Sequence, residues 1–277
     1  RYKEAVEAFD KAIKQEPKPA FVYLAYYGKA LALGNLGKIE EARIVLEQSL
    51  KLEPDFAAAW ALQSEIYQKL KQLDKALFAI NKAIQSQSKS PNFYAIKCFL
   101  LLLDNKYVEA EVAITEAMKL SNRAVFYFFR SAVYVGQKKL KLALADVNRA
   151  IALNPQFAYA FTARGIINSN KNENLALDDY NKAIEINSRS AFAYHNRGDI
   201  YRKKKKWDLA LADYNKAIEI NPKYTEAYNN RGVVYDDQEE WDLALVDYNK
   251  AIEINPEYTK AYRNRGDIYR KQKKWDL

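Results

Sequence analysis

The sequence predicts an all-α fold, a right-handed α-solenoid (superhelix) of stacked helical hairpins, on three observations. A short apolar motif recurs at a nearly constant interval, apolar and small residues within each copy fall at helical spacing, and chain-breaking residues are scarce. Only 8 Gly and 7 Pro occur in 277 residues, too few for an all-β chain that must turn about every 8 to 12 residues.

The interval is read from the triplets Lys216-Ala217-Ile218 and Lys250-Ala251-Ile252, with relatives at Lys11-Ala12-Ile13, Lys82-Ala83-Ile84, Arg149-Ala150-Ile151 and Lys182-Ala183-Ile184. With Ser49 and Ala117 as divergent members, the central residue advances in steps of 33 to 37 residues. Self-similarity at such a period marks a repeat array, in which each unit buries its apolar face only against its neighbours. Within the copy from Thr225 to Tyr258, Tyr228, Gly232, Tyr235, Ala244, Tyr248 and Ala251 give two amphipathic helices and a turn, closed by Pro256. Gly232, Ala244 and Ala251 let the two helices approach closely, and the tyrosines fill the space between them.

In chain order, residues 1–19 form a half repeat holding a second helix alone. Full repeats follow at 20–56, 57–90, 91–123, 124–156, 157–190, 191–224 and 225–258, and residues 259–277 supply a first helix alone. Three extra positions between Pro17 and Ala25 start the first helix of the first full repeat about one turn early, with Pro19 near its first position. The repeat at 157 has lost a residue between Asn168 and Asn174, where Asn168 stands for the usual Tyr and Glu173 for Trp, making it the expected weak joint. Both ends stop within a repeat and lack a polar capping helix, so the chain is expected to be a piece of a longer array. Such ends would also allow end-to-end self-association.

This pattern resembles the tetratricopeptide repeat, whose consensus places a large residue, Gly, Tyr, Ala, Phe or Tyr, Ala and Pro at these offsets. The likeness covers essentially the whole chain, and the run from Trp207 to Leu211, repeated from Trp241 to Leu245, is similar to long bacterial arrays. The resemblance implies that first helices line the inside of the superhelix and that function lies on that concave face. On the inward positions two surfaces appear. One is apolar: Ala95, Ile96, Phe99 and Leu102, then Val125, Phe128, Phe129 and Val135. The other is polar: His195, Asn196, Asp199 and Arg202, then Asn229, Asn230 and Asp236, then Lys260, Arg263, Asn264 and Asp267.

Asn196, Asn230 and Asn264 lie one repeat apart. An amide both donates and accepts, so such a ladder can pair with successive peptide groups of an extended chain. The resemblance implies the same, since arrays in protein O-GlcNAc transferases use an inner asparagine ladder in this way. Duplication of near-identical repeats would equally copy an asparagine. The apolar set Phe99, Phe128 and Phe129 could add burial of partner side chains, or could be core. The carboxylate clamp of chaperone-binding members does not carry over: at its positions stand His195, Asp199, Asn230, Lys260 and Asn264, and Asp199 would repel a terminal carboxylate.

Net charge is +9, from 44 Lys and Arg against 35 Asp and Glu. The run from Arg202 to Lys206 is basic, the equivalent turn from Asp236 to Glu240 acidic, and that from Arg270 to Lys274 basic again. Alternation predicts pairing between neighbouring repeats and argues against a phosphate backbone lying along the stack, so no nucleic acid is expected. Arg130, Arg164, Arg197 and Arg231 occur in those repeats that carry Asp146, Asp179, Asp213 and Asp247. This predicts Arg–Asp pairs between first and second helices, within a repeat or across to the next.

One Cys, one His and one Met leave too few ligands for a zinc site, which needs three or four. No phosphate-loop, dinucleotide or zincin motif occurs. His195 has no nucleophile tied to it by sequence, Cys98 falls at a packing position, and Trp207, Trp241 and Trp275 read as packing near the start of second helices. The longest apolar run, Cys98 to Leu103, is far short of the roughly 18 residues a membrane span needs, so no membrane partner is expected. Near-absence of Cys points to the cytoplasm, although Arg1 is not an initiator residue. The expected protein is a non-catalytic, cofactor-free scaffold or adaptor that binds an extended peptide or partner helix. The alternative is a substrate-recruiting region of a larger enzyme whose catalytic domain lies elsewhere.

Overall fold

A computed structural model describes residues 1–15 and 19–272, and in it sixteen α-helices and no strand occur among the described residues. Pro17, Trp275 and the end of the last basic turn lie outside them. The helices fall into two compact units, residues 1–143 and 144–277.

The first unit holds α1 (Tyr2–Gln15), α2 (Pro19–Asn35), α3 (Ile39–Leu52), α4 (Ala57–Lys69), α5 (Leu73–Ser86), α6 (Pro91–Leu103), α7 (Tyr107–Leu120) and α8 (Ala124–Gly136). The division falls within α9 (Leu140–Leu153). The second unit continues with α10 (Ala158–Asn168), α11 (Glu173–Ile186), α12 (Ala191–Lys203), α13 (Trp207–Ile220), α14 (Thr225–Asp237), α15 (Trp241–Ile254) and α16 (Thr259–Lys271). In each unit a first helix packs on the second helix that follows it and on the second helix before it. That is the nearest-neighbour packing of a repeat stack.

The periodic small residues explain this stacking. Ala42, Ala76, Ala110, Ala176, Ala210 and Ala244 are fully buried, as are Ser49, Ala83, Ala117, Ala183, Ala217 and Ala251, two turns later on the same helical face. Ser49 replaces alanine at no cost in unpaired groups because its Oγ donates to the Tyr23 carbonyl at 2.8 Å. Tyr180, Tyr214 and Tyr248 are the largest buried side chains. They fit only because a glycine faces each ring: a Cβ on Gly165 would meet Tyr180 Cε1 at 2.5 Å and one on Gly232 would meet Tyr248 Cε1 at 2.8 Å.

Turns between first and second helices close by a shared device. After α12, Lys205 adopts φ 53° and the Lys206 amide donates to the Tyr201 carbonyl at 2.9 Å, the reverse bond that ends a helix through a left-handed residue. Lys71, Asn105, Lys138 and Glu239 adopt the same conformation, and only Gly37 supplies a glycine for it. The turn after α10 differs. That helix has 11 residues where its counterparts have 13, and Asn172 caps α11 by accepting from the Asn174 and Leu175 amides.

Trp207 and Trp241 pack against the buried clusters of their hairpins. Cys98 lies in the core of α6 to α8, where burial pushes its thiol up to about 12, so it is protonated and unreactive.

Candidate functional site

In the second unit the polar residues of α12, α14 and α16 form a connected network. Asn264 Nδ2 donates to Asn229 Oδ1 at 3.0 Å, and Asn229 Nδ2 donates to Asn230 Oδ1 at 3.0 Å. Asn230 Nδ2 then donates to Asp199 Oδ1 at 2.8 Å and lies 3.1 Å from His195 Nε2. Tyr214 donates its hydroxyl to the same Asp199 oxygen at 2.6 Å. Because Asn230 Oδ1 already accepts from Asn229, its amide presents a donor to His195, so Nε2 is the acceptor and the ring proton sits on Nδ1. Nδ1 is buried without a partner.

Burial is the main force on His195, lowering its pKa; the Asp199 carboxylate opposes this in part. The imidazole stands 4.9 Å from the Tyr224 ring, centroid to centroid. His195 and Asn229 were expected on the presented face, yet they are only 8% and 3% exposed, because each sits beneath the first helix of the following repeat.

The three equally spaced asparagines are therefore not equivalent. Asn230 reaches back to His195 and Asp199, and Asn264 reaches back to Asn229, each 31 or 35 residues earlier. The corresponding residues for Asn196 are Thr162 and Ile166, and the Thr162 hydroxyl is spent on the Ala158 carbonyl. Asn196 instead donates to the Phe192 carbonyl of its own helix at 2.7 Å. Lys260 and Arg263 are exposed, Asp267 pairs with Arg270 at 3.0 Å, and Arg202 is half-buried with its Nε unpartnered.

Behind this face run the Arg–Asp pairs of α10, α12 and α14, each formed within its repeat. Arg197 Nε and Nη2 engage both oxygens of Asp213 at 2.8 and 2.7 Å, and Arg231 engages Asp247 at 2.8 and 2.6 Å. Arg164 does likewise with Asp179. The remaining fork nitrogen crosses to the preceding second helix: Arg164 to Asn148 at 2.9 Å, Arg197 to Asn181 at 2.7 Å, Arg231 to Asn215. These asparagines recur at the repeat spacing, the one sequence signal that marks them, and only the fold shows that each meets a guanidinium. Burial holds the Asp213 and Asp247 carboxyls above the usual range despite the arginine beside each. Between turns, Lys204 pairs with Glu173 at 3.4 Å and Lys271 with Asp236 at 2.6 Å, each reaching the preceding repeat.

The first unit offers an apolar counterpart on its first helices. Phe99 of α6 and Phe129 of α8 stand 6.3 Å apart, centroid to centroid. With Ile96 and Val125 they line a cavity of about 320 Å³, which has Asn92 and Arg123 at its edge, joined by a 2.8 Å hydrogen bond. Phe128 touches Phe129 at 5.6 Å and does not itself line the cavity. Among the described residues no helix is long and apolar enough to cross a membrane, and no group of three His, Cys, Asp or Glu side chains is placed to hold a metal ion.

Models described as tetratricopeptide repeat match residues 1–66, 57–90, 179–212 and 225–258, and one described as TPR repeat matches 198–239. Human tetratricopeptide repeat protein 13 is 25% identical over 155 residues, a stretch that is 54% of this chain and 18% of that protein. Among solved structures, the APC/C hetero-tetramer Cut9-Hcn1 gives a TM-score of 0.72 at 16% identity, covering 97% of this chain and 52% of the other. A tetratricopeptide repeat protein from Parabacteroides merdae gives 0.71 at 18% identity, covering 89% and 98%. The chain thus spans under a fifth of the human relative and about half of the first structure. At these identities the structural likeness is one of fold. Since the same hairpin also fills the stretch between the matched segments, the chain belongs to the tetratricopeptide repeat family.

Proposed function

We propose that this chain is a non-catalytic interaction scaffold that holds an extended peptide or a partner helix on the faces of its first helices. The observation that carries this reading is the Phe99–Phe129 cavity. Phe99 is 37% exposed, and the cavity of about 320 Å³ can take one apolar side chain, worth about 1.5 to 3 kcal/mol when buried. A micromolar complex needs about 8 kcal/mol, so the cavity acts as one anchor among several contacts.

The polar face of the second unit serves as a further contact surface, with its outer amides as the points of engagement. Asn196 and Asn264 each spend one donor within the protein and keep a carbonyl for a peptide N–H. Asn230 has both its donor and its acceptor engaged, which makes it a support for the face rather than a contact. A peptide is favoured over nucleic acid because the basic turns meet acidic residues of the neighbouring repeat. Catalysis has no foothold in a neutral, buried imidazole or a protonated, buried thiol.

The test is selection from a displayed peptide library on the purified chain, run beside a Phe99→Ala, Phe129→Ala variant and an Asn196→Ala, Asn264→Ala variant of matched helicity. Enrichment of a shared motif that the Phe variant loses is the expected result, with the Asn variant weakened. Equal enrichment by all three removes both surfaces from consideration, and no enrichment at all removes the peptide reading.

A further inference from the structure

The largest cavity among those described, about 570 Å³, lies between α3, α4 and α5 of the first unit. It opens between second helices and so is separate from the Phe99–Phe129 cavity, which lies on first helices. Its walls include Trp60, Tyr67, Phe78, Glu47, Asp74 and Gln63. Gln63 is 5% exposed, yet its Oε1 is buried without a hydrogen-bond partner. Such an acceptor costs free energy unless something donates to it.

The second unit shows what belongs at this place in a hairpin. Counted from the start of each first helix, Trp60, Gln63 and Tyr67 of α4 correspond to Tyr194, Arg197 and Tyr201 of α12, while Glu47 corresponds to Asn181 and Ala79 to Asp213. In α12 the guanidinium of Arg197 lies over Tyr194 at 5.4 Å and Tyr201 at 5.9 Å and donates to Asn181 and Asp213. In α4 both rings are kept, the neutral acceptor has become a carboxylate, and the arginine has become a shorter residue that offers an acceptor.

We propose that this cavity receives an arginine side chain of a partner protein, whose guanidinium takes the position that the chain's own arginines fill in the second unit. The rings stack on its faces, Glu47 supplies the countercharge, and the Gln63 amide turns so that Oε1, now buried without a partner, accepts one of its N–H groups. A guanidinium suits the site better than an ammonium, because it is planar, weakly hydrated and donates in a fork. The chain itself makes the comparison. Lys75, tethered at the rim, rests over the Tyr67 face at 5.7 Å and leaves Gln63 unsatisfied. The cost of entry is displacement of Lys75 and repulsion by Lys51, which also lines the cavity, and Glu47 must share its carboxylate with Arg43, now 2.7 Å away.

The test is a titration of the isotope-labelled chain with N-acetyl-arginine methylamide, following the Trp60 indole and Gln63 side-chain amide signals by NMR. Saturable shifts of both signals at millimolar probe are expected, with no saturation by the citrulline or lysine counterparts. Gln63→Arg, which lets the chain fill its own cavity, should abolish the titration while leaving the fold intact. Glu47→Gln should weaken it and Lys75→Ala strengthen it, each by roughly two- to fivefold. Equal saturation by the lysine probe, persistence of the arginine response in Gln63→Arg, or no saturable shift in the parent chain would each overturn the proposal. If Gln63→Arg does not fold, Glu47→Gln decides: an unchanged arginine affinity there also overturns it. None of these residues lines the Phe99–Phe129 cavity, so this test and that of peptide binding succeed or fail separately.

Discussion

Asp247 is 1% exposed, and burial raises its carboxyl above the usual range although Arg231 holds both its oxygens. Desolvation thus offsets much of what the pair gains, the usual balance for an ion pair inside a protein. Arg231→Gln strands a buried carboxylate and should cost about 3 kcal/mol. Adding Asp247→Ala recreates the residue types already present at Gln63 and Ala79 and should recover all but about 1 kcal/mol. Urea denaturation of the three proteins measures both, and a double variant as unstable as the single one would mean that the pair is strongly net stabilising. His195 makes a second prediction. Burial lowers its pKa below the ordinary 6.5, so below that pH the unfolded chain binds a proton the folded one refuses. Stability is fully present above 6.5 and falls as pH drops through it. Asp213 and Asp247 act in the opposite sense: with their folded carboxyls raised, they add stability as pH falls through those raised values toward 3.8. Comparing denaturation midpoints at about pH 7.5 and about pH 5.5 should show the histidine effect, and His195→Gln should flatten it.

At the scale of the helix, close approach sets the tolerance to change. Replacing an interior helical glycine by alanine gains about 1 kcal/mol in propensity. At Gly232 the new Cβ would stand 2.8 Å from a Tyr248 ring that is fully buried, and overpacking costs about 1 to 3 kcal/mol. Gly232→Ala should therefore be net destabilising. Gly266→Ala, with nothing described within 4 Å of its Cβ, should show the propensity gain alone. Thermal unfolding followed by circular dichroism separates the two, and a stabilised Gly232→Ala would show that Tyr248 can move aside. The sequence signalled both helices of each hairpin and the small residues between them, since Ala244, Ala251 and Gly232 are repeat-spaced. It did not signal the turns. Lys71, Asn105, Lys138, Lys205 and Glu239 take a left-handed conformation that sequence reading assigns to glycine, because the reverse hydrogen bond and solvent exposure at the turn compensate for the strain.

Within each compact unit the described helices pack on those of the same and the adjacent repeats. Stability is then a sum of repeat and interface contributions, so local damage should stay local. Hydrogen exchange of Gly232→Ala should show lost protection in α14, α15 and the helices flanking them, with α2 to α5 unchanged. Uniform loss over the chain would instead mean one cooperative unit. The candidate surfaces illustrate how far the period reaches as a guide to function. Asn196, Asn230 and Asn264 share a register and look interchangeable in sequence, yet Asn230 meets Asp199, Asn264 meets Asn229 and Asn196 meets only its own helix. Each amide's fate is decided by residues 30 to 35 positions earlier, on a helix that lies beside it only after stacking. Likewise Gln63 looks like an ordinary helix residue until Arg197 is seen to occupy the equivalent place between two rings.

Sequence alone determined the helical hairpin, its period, its buried small residues and its family, because all of these depend on spacing along the chain and on the volume of single side chains. Tertiary structure decided that the Arg–Asp pairs close within a repeat, that His195 and Asn229 are buried, that Phe99 and Phe129 frame a cavity, and that Gln63 lies in the wall of another. Those outcomes depend on distances between residues of different helices, and such distances are fixed only when apolar faces pack and one helix chooses which neighbour's polar groups it can reach.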